Sequence, residues 1–522
     1  MIVLVGFMGA GKTTVGRSLA RLLRQPFVDT DAEIERRAGA AIAEIFSRWG
    51  EGSFRELERQ VVAETLVAHA GVVALGGGAL GDPATRSLLA SISTAQVIHL
   101  DIGLDEALER VGGDSNRPLL AGTDVPRLYA DRRRLYEDVT STSVTTTHRA
   151  PDEIAVEIAR IAGEILPHRI RVAAGAGSYD VVVGRALAST TSEFVPALDA
   201  AEQVFVITDA NLRAEADAVA ASFGEGTPCR ILQVPPGEDA KTLEWAGRLY
   251  DALAENAAHR HDIVVAVGGG AVTDVAGFVA STFNRGMSVA YVPTSLTAQA
   301  DASIGGKTGI NLSQGKNLVG TFHQPSVVVC DVAVLGSLPV EEMRAGLAEV
   351  IKHGLIAEPD LIHLVEKEAT AILDRDAALL AELVTRSARI KAGIVSADER
   401  EHGVRALLNY GHTFAHAIER VGNFGMRHGE AVAIGMMAAA HLGHALDRLD
   451  DDAVELHRSA LSAVGLPVTA SLDFDALEHA WLRDKKYRGG VRFVLLAEIG
   501  RAEAGIHAPR EAIIEALERL KT

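Results

Sequence analysis

Cysteine is nearly missing from this sequence: only Cys229 and Cys330 occur in 522 residues. Two cysteines build neither a disulfide framework nor a cysteine-ligated zinc site, and their scarcity suits a reducing cytoplasm. No apolar run approaches the roughly 20 residues that cross a bilayer, so no membrane partner is expected. Met1–Val5 enters a strand at once and leaves no room for a signal peptide. Positive charge is in deficit. A net charge of −18 repels polyanions at long range and argues against nucleic acid, so a phosphorylated substrate must be captured by local clusters of Lys and Arg. What is present is ordinary for a globular chain, 48% hydrophobic and 23% charged. Its length exceeds one hydrophobic core and suggests about three or four compact units.

Short apolar runs alternate with amphipathic stretches from the start: "IVLV", "TTVGRSLARLL", "PFVD", "VVAL", "QVIHL". That rhythm predicts a parallel sheet covered by helices. It continues to "PDEIAVEIARIAGEIL", a helix opened by Pro151 and Asp152 and closed near Pro167, where the first boundary falls. A second alternating section follows, with strands at "YDVVVG", "VFVIT", "CRILQV", "IVVAVGGG" and "MSVAYVP". Beyond Pro339 the pattern is almost wholly helical. The expected domains are residues 1–166, 167–338 and 339–522. The fold class is α/β: a P-loop domain with a parallel sheet, then an α/β dinucleotide-binding domain and a mostly helical metal-binding domain. A cleft between the last two is the natural substrate site. No tandem repeat or low-complexity linker interrupts the chain.

"GFMGAGKTT" spells G-x-x-x-x-G-K-T between a strand and a helix, the context a phosphate-binding loop requires. Gly6, Gly9 and Gly11 let the backbone N–H groups face phosphate oxygens, Lys12 reaches the β and γ phosphates, and Thr13 serves magnesium. Thr14 completes the nucleotide-binding set. GTPases, ATP-driven motors and small-molecule kinases share this loop, so it does not name the acceptor. "FVDTD" sets Asp29 and Asp31 at the end of the second strand, one suited to magnesium and the other to an acceptor hydroxyl, although helix capping would look the same. Further on come Arg55 in "GEGSFRELE", a glycine turn at Gly76–Gly78, Arg117 in "NRPLL" and Arg132 in "DRRRLY".

Together, in this order and over residues 1 to 166, these motifs resemble shikimate kinase. The resemblance implies that Asp31, Arg55, Gly77, Gly78 and Arg132 hold shikimate, the two arginines pairing with its carboxylate. Asp31 would bind the reacting hydroxyl and accept its proton. Arg117 would ride a mobile lid, consistent with its flank "GGDSNRPLLAG". The implied phosphoryl donor is ATP with Mg2+. The chain begins one residue before the first strand, a departure from the family pattern that implies a clipped strand or a misplaced start.

In the second half, "IVVAVGGGAVTDVAGF" runs strand, glycine trio, helix, and would admit a pyrophosphate at Gly268–Gly270, although its spacing is not G-x-G-x-x-G. Asp209 ends a strand where a ribose hydroxyl would sit, and Glu238 and Lys241 follow in a loop. The segment from Asn284 to Pro325 is too polar and cationic for a plain connector of its length, though a solvated loop remains open. Its Arg285, Lys307, Lys316 and Asn317 suit a phosphate and a carboxylate. "RAGLAEVIKHG" places Glu349 and Lys352 on one helical face, where a surface salt bridge would look the same. Glu349 with two histidines would give zinc three ligands and an open position. Three histidines compete for the two places: spacing alone pairs His412 with His416 in "LNYGHTFAHAIE", and His428 lies further on in "MRHGEAV".

Residues from about 169 to 522 resemble 3-dehydroquinate synthase, carried by "GGGAVTDVAGF", "PTSLTAQADASIGGKTGIN", "GKNLVGTF", "RAGLAEVIKHG", "LNYGHTFAHAIE", "HGEAV" and "DKK" in that order. The resemblance implies Zn2+ or Co2+ on Glu349, His412 and His428, with His416 one turn away for proton transfer. It implies NAD on Asp209, Glu238, Lys241, Gly269, Gly270, Asp274, Thr294, Ser295 and Lys316. Substrate would be lined by Asp301, Lys307, Lys352, Lys391, Arg405, Asn409 and one lysine of "DKK", Lys485 in preference to Lys486, with Lys352 also catalytic and Arg285 and Asn317 taking the phosphate. The implied reaction converts 3-deoxy-D-arabino-heptulosonate 7-phosphate to 3-dehydroquinate by oxidation, phosphate elimination, re-reduction, ring opening and aldol closure. A cytoplasmic homodimer joined through the synthase half is implied as well. Two other readings stay open: a different sugar-phosphate cyclase or polyol dehydrogenase in the second half, and a regulatory nucleotide-binding module in the first.

Overall fold

The computed structural model describes the chain apart from residues 24, 70, 93–94, 112–123, 141, 164, 176, 197, 423–424, 483–490 and 522. It divides into two compact units, Met1–Leu166 and Pro167–Thr522.

The first unit is built on five parallel strands, β1 (Ile2–Val5), β2 (Phe27–Asp29), β3 (Val72–Ala74), β4 (Gln96–Asp101) and β5 (Thr142–Thr145), in the order β2-β3-β1-β4-β5. An unbroken apolar run such as "IVLV" needs cover on both faces. β1 has it, with all four residues buried and Val3 paired to Val73 on one side and Val97 on the other. The phosphate loop leaves the carboxyl end of this central strand, where the chain's course across the sheet reverses. Helix Pro151–Ile161 packs on helix Lys12–Leu23 and closes the core. It stops well short of Pro167, because Gly163 takes a left-handed φ of 72° that ends the helical backbone.

The second unit carries a seven-stranded sheet. Its strands are β6 (His168–Val172), β7 (Tyr179–Gly184), β8 (Val204–Asp209), β9 (Cys229–Val234), β10 (Ile263–Gly268), β11 (Ser288–Pro293) and, after a hairpin, β14 (Val327–Asp331). The order is β6-β7-β14-β11-β10-β8-β9, parallel except for β6 against β7. The hairpin, β12 (Lys307–Leu312) with β13 (Gly315–Phe322), occupies the polar, cationic segment for which the sequence predicts no strand. Glycines disguise it: a Cβ on Gly320 would stand 2.1 Å from the Thr308 carbonyl, so this pairing depends on a missing side chain where alternation would otherwise show. Beyond Pro339 the unit is mostly helical, with one correction, the antiparallel pair β15 (Phe493–Glu498) and β16 (Arg501–Ile506). Helix His428–Ala445 is apolar nearly all round and lies at the centre of these helices, against His412–Val421, Val340–Ala357 and Arg510–Arg519.

Candidate active sites

In the first unit, Gly9 and Gly11 adopt φ of 80° and 85°, which only glycine takes without strain, and curl the loop so that Lys12 folds back over it. Lys12 Nζ donates to the carbonyls of Gly6 (2.8 Å) and Phe7 (3.2 Å). Thr13 Oγ1 lies 2.5 Å from Asp29 Oδ2, so helix and strand present a hydroxyl and a carboxylate together. These groups and the exposed Thr14 line a cleft of about 870 Å³ that also holds Asp31, Arg55, Gly77, Gly78 and Arg132. The glycine turn is set by its neighbours. A Cβ on Gly76 would meet Asp31 Oδ1 at 2.4 Å, and one on Gly78 would meet the Arg55 guanidinium at 2.5 Å. Arg132 lies over the Phe7 ring at 5.9 Å.

Glu58, absent from the sequence-derived site, is buried and holds Arg55 through a 2.6 Å contact. Its position one turn after Arg55 in "FRELE" was the available signal. Arg110 also lines this cleft and donates to the Gly9 carbonyl, 3.2 Å away. Arg117 lies outside the described residues.

In the second unit, Asp209, Gly269 with Gly270, and Thr294 with Ser295 stand at the carboxyl ends of β8, β10 and β11, three adjacent strands. That is where ligands bind in open α/β sheets. Lys241, 3% exposed, joins this crevice to the hairpin by donating to Asp274 Oδ2 (2.7 Å) and Asn317 Oδ1 (2.6 Å). Burial pushes the Asp274 carboxyl up, against the pull of Lys241. Asn311, not foreseen, bonds Glu238 (2.6 Å) and accepts from the Asn317 N–H (2.9 Å). Lys316 Nζ stands 3.7 Å from Glu419. Arg285 is exposed, on a turn with φ of 64°.

Asp301 sits in a π-helical turn, Ala298–Ala302, where Ser303 bonds the Ala298 carbonyl through both its N–H (3.2 Å) and its hydroxyl (2.7 Å). Around it gather Lys391 (2.8 Å), Lys352 (3.9 Å) and His353 (3.6 Å). His353 is fully buried and was not anticipated. Burial raises the Asp301 carboxyl, but Lys391 and Lys352 outweigh it and hold it well below the usual carboxylate range. Lys391 is pulled down to about 8 by its own burial, against the attraction of Asp301. Lys307 and Asn409 meet on Glu401 at 2.6 and 2.8 Å, a carboxylate the sequence reading passed over. Arg405, 1% exposed, is held by the carbonyls of Glu399 and Gly305. Lys485 lies outside the described residues.

Among the described residues, Glu349, His412 and His428 form a cluster whose donor atoms lie within 4.8 Å of one another. Glu349 comes from helix Val340–Ala357 and is 1% exposed, with Glu349 Oε1 3.6 Å from His412 Nε2 and 3.3 Å from His428 Nε2. Its other oxygen accepts from Lys352. Burial pushes Glu349 up, yet Lys352 and His412 prevail and keep it ionised. His412 is lowered by burial, so it is a neutral donor. Its Nδ1 is 3.1 Å from the Tyr410 carbonyl, which turns Nε2 toward Glu349. Desolvation lowers His428, but the Glu349 and Glu419 carboxylates on its two nitrogens raise it. One carboxylate oxygen and two imidazole nitrogens converging on a buried floor, with one ligand open to solvent, fit a zinc-like divalent ion. His416 stays exposed, its ring 5.5 Å from His412 and 6.4 Å from His428.

Three family models match the chain: Shikimate kinase over residues 8–162, 3-dehydroquinate synthase N-terminal over 231–345, and 3-dehydroquinate synthase C-terminal over 346–487. A 3-dehydroquinate synthase of Rhodococcus opacus (strain B4) is 46% identical over 65% of this chain and 92% of that protein. Among solved structures, 2-epi-5-epi-valiolone synthase from Streptomyces hygroscopicus subsp. jinggangensis, with NAD+ and Zn2+ bound, is 28% identical with a TM-score of 0.60, covering 67% of this chain and 98% of that one. Shikimate kinase from Acinetobacter baumannii, in complex with shikimate, is 40% identical over 31% of this chain and 90% of that one, with a TM-score of 0.29.

Proposed function

Since the chain belongs to the 3-dehydroquinate synthase family and carries a shikimate kinase domain ahead of it, we propose that one polypeptide performs two reactions of the shikimate pathway. The first unit phosphorylates shikimate from ATP. The second converts 3-deoxy-D-arabino-heptulosonate 7-phosphate to 3-dehydroquinate and phosphate. The observation that carries this reading is the pairing, in one chain, of a phosphate-loop cleft whose lining includes Asp31, Arg55 and Arg132 with a Glu–His–His centre beside a dinucleotide crevice.

In the kinase unit, Lys12 leaves its carbonyl partners for the β and γ phosphates, and Thr13 with Asp29 holds the magnesium of the nucleotide. Arg55 and Arg132 clamp the acceptor's carboxylate, Gly77 and Gly78 let it approach the backbone, and Asp31 takes the proton of the reacting hydroxyl. The family resemblance assigns Arg117 to the transferred phosphoryl group as well.

In the synthase unit, Glu349, His412 and His428 hold the metal. Asp209, Glu238, Lys241, Gly269, Gly270, Asp274, Thr294, Ser295 and Lys316 hold NAD. When bound, the two groups supply Lewis acidity and a reversible hydride store. Lys391, Lys352, Lys307, Arg405, Asn409 and Lys485 orient the acidic sugar with Asp301 as their counter-charge, and Arg285 and Asn317 take its phosphate. His416, open to solvent beside the centre, moves protons. A need for ATP and NAD supports a cytoplasmic location, and the family resemblance supports a homodimer through the synthase unit, which light scattering would test.

The deciding experiment measures both reactions on the full-length chain: ADP release with and without shikimate, and phosphate release from the heptulosonate phosphate. Lys12→Ala abolishes only the first, and a transition-metal chelator in excess magnesium abolishes only the second. Loss of both in either case overturns the two-site assignment, and net NADH production would mark a polyol dehydrogenase instead.

A further inference from the structure

Glu419 lies on helix His412–Val421, two turns beyond His412 and on the same face. It is 6% exposed, and its Oε1 stands 3.5 Å from His428 Nδ1 and 3.7 Å from Lys316 Nζ. On the far side of the same imidazole, Nε2 is 3.3 Å from Glu349 Oε1. His428 therefore stands between two carboxylates from two different helices, one near each nitrogen.

An ionised carboxylate can only accept, so Glu419 favours a proton on the Nδ1 that faces it. That is the tautomer in which Nε2 turns a lone pair toward the Glu349–His412 centre whenever a cation replaces the second proton. Lys316, on the β12–β13 hairpin, holds the carboxylate from another direction and offsets the cost of burying its charge. His428 stands 41% exposed at the start of its helix, with the His412 ring 5.4 Å from its own, and the carboxylates near its two nitrogens are the polar groups that can set its rotation.

We propose that Glu419 is a positioning residue for the metal centre: it orients His428 and fixes its donor nitrogen. The inference rests on reading Glu349, His412 and His428 as metal ligands. Outer carboxylates of this kind tune ligand basicity, and their loss lowers metal affinity by roughly 10- to 100-fold.

The test compares full-length wild type with Glu419→Gln, Glu419→Asp, Glu349→Gln and His428→Ala. Zinc affinity is measured by competition with a chromophoric chelator, ligand geometry by the visible spectrum after cobalt loading, and integrity by the melting temperature of the metal-free protein. The expected result is a roughly 10- to 100-fold loss of zinc affinity in Glu419→Gln, with an altered cobalt spectrum, an unchanged metal-free melting temperature and partial recovery in Glu419→Asp. Wild-type affinity and spectrum in Glu419→Gln overturn the inference while leaving the metal centre intact. A collapse of the metal-free melting temperature in both Glu419 variants also overturns it, in favour of a purely structural role. Wild-type zinc binding in Glu349→Gln and His428→Ala would defeat the metal-centre reading itself.

Discussion

Lys352 and Glu349 form an ion pair one turn apart on a helix so deeply set that each side chain is only 1% exposed. Charges in such a position stay ionised because each has the other, with Asp301 adding to the hold on Lys352 and His412 to that on Glu349. Replacing Lys352 with Met leaves two carboxylates, Glu349 and Asp301, short of a cation. We expect the second unit to lose about 3–5 kcal/mol of stability and its synthase activity, while shikimate-dependent ADP release is unchanged. Urea unfolding followed alongside both assays checks this.

The kinase acceptor site depends on a residue that the sequence reading did not include. Glu58 holds the Arg55 guanidinium at 2.6 Å, and Glu51 lies 3.2 Å from it on the exposed side. Glu58→Leu removes the buried anchor. The KM for shikimate should rise roughly tenfold, the equivalent of about 1.4 kcal/mol in a charge-assisted contact, with the KM for ATP little changed.

Acid should weaken the second unit through His457. Its Nδ1 donates to the Ala453 carbonyl (2.7 Å) and its Nε2 accepts from the Tyr410 hydroxyl (2.8 Å), so the ring is neutral. Burial lowers its pKa to about 4. Unfolded, the ring protonates near 6.5, so the unfolded chain gains the proton first and stability falls as pH drops through the window from about 6.5 to 4. The loss from this group is on the order of 3 kcal/mol by the bottom of that window. His457→Gln, even if less stable at neutral pH, should show a flatter dependence of melting temperature on pH.

Lys391 titrates in the opposite range. Because burial draws it down to about 8, it is an ammonium below that pH and neutral above it. The KM of the synthase for its doubly acidic substrate should rise as pH climbs through about 8, and Lys391→Gln should remove that step. In the unfolded chain Lys391 holds its proton to higher pH, so its penalty on folding is full below about 8 and fades toward the ordinary lysine range.

How much of this was legible depended on distance along the chain. The phosphate loop is a local object, and residues 6 to 13 contain all it needs. The metal-like centre is tertiary. His416 shares a helix with His412, yet His428 joins the cluster because its helix crosses close to the other, where a Cβ on Gly435 would stand 2.3 Å from the Gly411 carbonyl. No spacing rule encodes that crossing. The β12–β13 hairpin was hidden for a related reason, since glycine contacts replace the apolar alternation by which strands are read. Glu58, Glu401 and Glu419 were missed because an acidic side chain at a helical interval looks the same whether it faces water or a buried cation.

The π-helical turn at Ala298–Ala302 has a consequence for how this chain tolerates change. A π turn holds one residue more than the α-helical turn it replaces, and each α-helical residue accounts for about 100° of rotation. Asp301 thus owes its direction to a surplus residue. A one-residue deletion there would give a more regular helix with its aspartate aimed elsewhere, so the number of residues in the turn matters to the site as much as the identity of the side chain it carries.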